Sequence, residues 1–294
     1  MSRVAFATAA GRIRCASRAA LLVGSLLLAA CDSEPAFTRQ LRQEQLIDAI
    51  RASLLESAEA EKSAVLSTSD EESRAFALES EHDSRDIERM TAELRPLVEA
   101  DGRPEEVERL AAFERTWAEV RSVDERLLAL AVANTDLKAS HLAASEGAAV
   151  VERFVDDLTR LASATSDPEA LRALSQASIA ALREQTLLLL HVPTPDQTEM
   201  DRLEKRMDEL SRQVERDLAA AQANGVSAER LAPASRAWNE HHRIAAEVVR
   251  LSRENTNVLS FDVSVHEKRK VTKDCLQALA SLEEAVTSAP QPAR

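Results

Sequence analysis

The sequence predicts an all-α protein, internally duplicated, built as two stacked antiparallel four-helix bundles from four short and two long helices. Three observations lead there. Glycine is scarce and tyrosine absent, with only Gly102, Gly147 and Gly225 beyond residue 30, while the helix formers Ala, Leu, Glu and Arg dominate. Turn and capping signals divide the chain in the order short, short, long, then short, short, long. A segment from Glu108 also recurs 121 residues later from Glu229 without a gap.

The helices follow in order. The first spans 36–67 and stops before Ser69-Asp70-Glu71-Glu72, an S-x-x-E capping box with an acidic first turn that opens the second, 70–99. Asp101-Gly102-Arg103-Pro104 is a stop, turn and start, and the third helix runs 104–164. Asp167-Pro168-Glu169 opens the fourth, 168–190. Thr194-Pro195-Asp196-Gln197 reads as a second capping box with Pro at the first helical position, opening 195–223. Asn224-Gly225-Val226-Ser227 leads into the sixth, 228–288. Residues 289–294, with Pro290 and Pro292, read as a disordered tail.

In the 121-residue frame Glu108, Arg109, Leu110, Ala111, Arg115, Trp117, Glu119, Leu130, Asn134 and Thr135 reappear as Glu229, Arg230, Leu231, Ala232, Arg236, Trp238, Glu240, Leu251, Asn255 and Thr256. The only two tryptophans fall at equivalent places and are expected to fill equivalent core layers. The first repeat is 38–165 and the second 166–288. A long helix of 60 residues would extend about 90 Å at 1.5 Å per residue, twice the reach of its short neighbours. Each long helix therefore passes through both bundles, with coiled-coil-like packing of its apolar stripe. The competing geometry breaks each long helix at Asn134-Thr135 and Asn255-Thr256, giving two separate bundles. The absence of Gly and Pro there favours continuity.

The N-terminus is of a different kind. Arg3, Arg12, Arg14 and Arg18, with no acidic residue, precede the short apolar run Ala19 to Ala30. That is the layout of a secretory signal, and the run is shorter than the roughly 20 residues a spanning helix needs. Leu28-Ala29-Ala30-Cys31 resembles the lipobox of bacterial lipoproteins. The resemblance implies a signal peptide at 1–30, a lipid on Cys31, and a short linker over 31–37. Asp32 resembles the retention signal of inner-membrane lipoproteins in some Gram-negative bacteria, which favours the inner over the outer membrane. The protein is expected in the cell envelope, facing the periplasm. Removing four arginines leaves 33 basic against 50 acidic residues, a net of −17. A chain so acidic is not built to coat nucleic acid. Cys15 goes with the signal, and Cys275 remains as a lone thiol expected in the core.

"STSDEE", "FERTWAEV", "LALAVANTDLKAS" and "LSRENTNVLS" followed by "HEKRK", with the repeated helix order, resemble the periplasmic four-helix-bundle sensor domains of bacterial chemoreceptors, in their helical bimodular form. The resemblance covers most of 38–288. It implies a sensory module that binds a small ligand such as an organic acid. That family continues into a second membrane helix, a HAMP region and a cytoplasmic hairpin, none of which occurs in these 294 residues. The module is therefore expected to act through a membrane partner. In related sensors, charged and polar side chains between helices hold small carboxylates. This gives Arg115, Arg236, Asn134, Thr135, Asn255 and Thr256 as ligand-binding residues, the Arg fork being suited to a carboxylate. The alternative is a structural or adaptor envelope lipoprotein with no small-molecule ligand.

Catalytic and cofactor signatures are absent from the sequence. Glu79-x-x-His82 is a single E-x-x-H where a di-iron bundle needs two. His241 and His242 are adjacent and point about 100° apart on a helix. No Cys/His zinc spacing, haem motif or phosphate loop occurs, so no enzyme activity, metal or cofactor is expected. His266-Glu267-Lys268-Arg269-Lys270 with Lys273 reads as a solvated basic face, or as a docking patch for an acidic partner. The expected partners are the membrane through the lipid on Cys31, a small organic ligand, an envelope or signalling protein, and a second copy of the chain.

Overall fold

A computed structural model describes residues 36–288, and among them every element is helical. The expected signal peptide, the expected lipidation site Cys31 and the tail 289–294 lie outside the described residues. The helices are α1 (Ala36–Leu66), α2 (Asp70–Asp101), α3 (Pro104–Ala133), α4 (Thr135–Leu142), α5 (Ala148–Ser163), α6 (Pro168–His191), α7 (Gln197–Ala223), α8 (Ala228–Glu254), α9 (Thr256–Asp262) and α10 (Arg269–Thr287). Two π-helical turns, Ala143–Gly147 and Val263–Lys268, link α4 to α5 and α9 to α10 without interrupting them.

The termini are set by local chemistry. Ser69 Oγ accepts from the Glu72 amide at 3.2 Å, and Asp167 Oδ1 accepts from the Ala170 amide at 2.8 Å. Gly102 ends α2 at φ 65°, a left-handed stop. One start differs from expectation. The cap of α7 is Asp196, whose Oδ1 accepts from the Glu199 amide at 2.8 Å. The Thr194 hydroxyl instead donates back to the Leu190 carbonyl at 2.8 Å, so α7 begins at Gln197, not 195.

The long helices, expected to be continuous over 104–164 and 228–288, are broken once each. Asn134 (φ 48°, ψ 41°) and Asn255 (φ 50°, ψ 40°) sit in the left-handed region, and a new helix starts at the threonine that follows. Asn tolerates this conformation better than other β-substituted residues, because its short amide finds local partners. No loop intervenes, so α3 and α4 still lead from one end of the molecule toward the other, as do α8 and α9.

Two cores result. α1, α2, α3 and α10 enclose Ile47, Ile50, Leu54, Leu94, Phe113 and Trp117. α5, α6, α7 and α8 enclose Phe154, Leu174, Leu210, Val214 and Trp238. Smaller clusters around Leu127 and around Leu188 fill the space toward the middle. Burial recurs with the sequence. Positions 110, 113, 117, 120, 127, 128 and 131 of α3 and positions 231, 234, 238, 241, 248 and 252 of α8 follow one stripe at the 121-residue offset. α1 and α6 share their buried stripe at an offset of 127, from Gln43 and Ala170 to Glu61 and Leu188. The larger offset reflects α2, which at 32 residues is longer than the 27-residue α7.

Candidate functional site

Four of the six residues expected to bind ligand meet at one point. The Thr135 amide donates to Thr256 Oγ1 at 3.0 Å, and the Thr256 amide donates to Thr135 Oγ1 at 3.2 Å, with the two hydroxyls 3.2 Å apart. Asn257 Nδ2 donates to Asn134 Oδ1 at 2.9 Å, and Asn257 Oδ1 accepts from the Asp136 amide at 3.2 Å. Asn134, Thr135, Asn255 and Thr256 are all buried. Each break exposes amides that lack an intrahelical partner, and the equivalent threonine of the opposing helix satisfies them. The cluster is a reciprocal clasp between the two breaks, with its hydroxyls already engaged. Arg115 and Arg236 are exposed on α3 and α8. Each lies 19 residues before its asparagine, about 28 Å along the helix. They do not join the clasp and form no fork with it.

Asn134 Nδ2 and Asn255 Oδ1 remain buried without a hydrogen-bond partner. A second place with unsatisfied chemistry is larger and open to solvent. A groove of 590 Å³ runs between α1 and the α9–α10 segment. Leu55, Val65, Leu66, Phe261, Val265 and Leu276 form its walls. Lys62, Arg269 and Lys273 stand on its rim and have no ion-pair partner among the described residues. The floor is polar. Glu61 is wholly buried, and its carboxylate makes no well-formed hydrogen bond, with the Ser264 hydroxyl a nearby donor. Beside it Lys268, 3 % exposed, donates its ammonium to Asp124 Oδ1. Thr272 adds a buried hydroxyl without a partner. Burial pushes the Glu61 carboxyl above the usual range, against the pull of nearby Ser264 and Lys268. Burial raises Asp124 as well, opposed by Lys268. Two carboxylates thus lie near one ammonium, which is bonded to Asp124 and acts on Glu61 only at longer range.

The π-helical turn Val263–Lys268 places this floor. Its wider turn directs Ser264 and Lys268 inward under α1. This corrects the picture of a uniformly solvated basic face. Arg269, Lys270 and Lys273 are exposed, His266 pairs with Asp262 and Glu267 with Arg126, but Lys268 is buried.

In the other half the three equivalent positions carry no charge. At the offsets that align the buried stripes, Glu61 corresponds to Leu188, Asp124 to Ala245 and Lys268 to Gly147. Leu188 is fully buried beside Ala139 and Ala143, and a Cβ on Gly147 would meet Gln185 Oε1 at 3.4 Å. The fold is therefore completed there by apolar and small residues. A buried ion pair adds little stability over well-packed apolar groups, so the charges need another reason.

The second half has buried polar groups of its own, only some of them engaged: Glu184 Oε2 and both ring nitrogens of His241 have no hydrogen-bond partner. His191 Nδ1 lies 2.9 Å from Ser252 Oγ and its Nε2 2.9 Å from Glu204 Oε1, which also accepts from Arg253 Nε at 2.6 Å. Burial alone would raise the Glu204 carboxyl, but the hydrogen bonds from Arg253 and His191 outweigh it and hold it low. His241 is buried against Trp238 at 5.1 Å between ring centroids and lies 3.7 Å from Glu184. The two tryptophans occupy equivalent layers of the two cores. Cys275 is buried in the first core, where burial pushes its thiol up to about 11. Sequence reasoning missed Glu61, Asp124 and Lys268. The signal that finds them is the comparison of the two halves in register, where charge replaces Leu, Ala and Gly.

Among the described residues no cluster of three or more His, Cys, Asp or Glu side chains has a metal-binding arrangement, and no helix is long and apolar enough to cross a membrane. Against known protein families, curated proteins and solved structures, the chain has no match in any of the three comparisons.

Proposed function

We propose that the chain is a lipid-anchored cell-envelope module that binds a small organic acid in the groove over Glu61 and acts through a membrane partner. The observation that carries this is the charged, incompletely partnered floor in one half of the chain, where the other half packs Leu188, Ala245 and Gly147. Lys62, Arg269 and Lys273 supply positive charge at the mouth of the groove in a chain of net charge −13. The walls hold an apolar body. Lys268 stays with Asp124, so the rim cations take the carboxylate. The role resembles that of the four-helix-bundle sensors, with the lipid on Cys31 in place of their membrane helices.

The test is a thermal-shift screen of organic acids, amines and amino acids on the polypeptide from Asp32 to Arg294, which keeps every described helix. At least one acid should raise Tm, and the Lys62→Ser/Arg269→Ser/Lys273→Ser variant should lose that shift. A screen with no stabilising compound, or a shift that survives in the variant, refutes the proposal.

One observation favours the alternative, a structural or adaptor lipoprotein. The threonine amides and hydroxyls at the breaks satisfy one another, and Arg115 and Arg236 face solvent. On that reading the groove is bystander surface. Val265→Glu, at an exposed wall position, would then leave binding to any defined envelope partner unchanged.

A further inference from the structure

We propose that the acid is a long one, an unbranched alkanoate whose chain lies along the groove and whose carboxylate sits among Lys62, Arg269 and Lys273. This rests on the groove being the ligand seat and says what fills it.

Shape and surface point the same way. Leu55 and Leu66 mark the two ends of the α1 wall, 11 residues and about 16 Å apart. With C–C bonds of about 1.5 Å, an extended zigzag of about a dozen carbons spans that length. Leu55, Leu66, Phe261 and Val265 are 51 %, 68 %, 53 % and 38 % exposed, four large apolar side chains on the walls of one trough. A short polyanion would satisfy the rim and leave these walls wet, whereas an alkyl chain covers them. The rim carries three unpaired cations against the single carboxylate of Glu59, so the complement is an anion. Glu61 is already wholly buried beneath the groove, so an alkyl cover takes no further water from it.

The experiment is isothermal titration of delipidated Asp32–Arg294 polypeptide with n-alkanoates from four to sixteen carbons, each below its micelle concentration. Affinity should rise about fourfold per methylene, the equivalent of about 0.8 kcal/mol, and level off at or below about twelve carbons, because Lys62 stands between Leu55 and Leu66 on the α1 wall. Lys62→Ser/Arg269→Ser/Lys273→Ser should weaken every length by a similar factor. Val265→Glu should flatten the dependence on length. Tight binding of short di- or tricarboxylates, lost in the rim variant, with none of long alkanoates would keep the ligand seat and overturn the chain. A lysophospholipid binding tighter than the free acid of equal length would assign the groove to membrane lipid and overturn the carboxylate. Alkanoate binding unchanged in both variants would be surfactant adsorption and would also overturn the proposal. Binding of nothing in the series or in the wider screen removes the seat itself.

Discussion

Replacing the charged floor separates a structural from a functional origin. In Lys268→Met the stem volume stays, but Asp124 loses its bonded ammonium and Glu61 a nearby one, at positions with 0 % exposure. Removing one partner of a buried pair costs about 3–5 kcal/mol. The triple variant Glu61→Leu/Asp124→Ala/Lys268→Met gives the first half the apolar character of Leu188, Ala245 and Gly147. A buried ionic cluster replaced by packed apolar groups is commonly neutral or stabilising by about 1–4 kcal/mol. Urea unfolding followed by helical circular dichroism gives both numbers, with the slope as a check on unchanged compactness. The pH dependence carries a sign. Both carboxyls have folded-state pKa values raised by burial, so the folded state holds protons that the unfolded state releases. The stability these groups contribute then falls as pH rises above the usual carboxylate range, and the Lys268→Met deficit shrinks as pH is lowered toward that range. A triple variant as unstable as the single one would refute the reasoning. The charges would then be holding the fold, and the floor would no longer argue for a ligand.

Three further outcomes follow. Thr135→Val and Thr256→Val each leave a buried amide of the opposing helix without an acceptor, at about 1–3 kcal/mol apiece. Their double variant should cost less than the sum by about 0.5–1.5 kcal/mol, because both singles break the same hydroxyl–hydroxyl bond; strict additivity in a urea-unfolding cycle would deny the clasp. Cys275, 0 % exposed with its thiol pushed up to about 11, should resist aromatic disulfide reagents at pH 8 in the folded protein and react at once in denaturant. Rapid labelling of the native chain would mean that α10 opens freely. Metabolic labelling with a fatty-acid tracer should mark the wild type and fail in Cys31→Ala; label retained in the variant removes the anchor.

The parts that were legible in the sequence are those written locally. Ser69, Asp167 and Gly102 act on amides and carbonyls within four residues, so the ends of α1, α2 and α6 could be placed nearly to the residue. The breaks at Asn134 and Asn255 were harder because no Gly or Pro marks them. What stabilises them is the threonine of an antiparallel helix 121 residues away, a partner visible only once the two long segments lie side by side. The π-helical turns leave no residue signature, so Lys268 looked like one more lysine on a solvated face. Glu61, Asp124 and Lys268 come from three separate helical segments and each alone looks like a surface charge. In the folded chain all three charges come together, Glu61 and Lys268 in the floor of the groove and Asp124 behind them, bonded to Lys268. Charges placed without regard to the interior would fall on the exposed faces, where they cost little. Three that converge in the interior each carry a desolvation cost, and the two carboxylates there outnumber the one ammonium. An imbalance of that kind is retained at a fold's expense, and the groove directly above it is where the compensation must be sought.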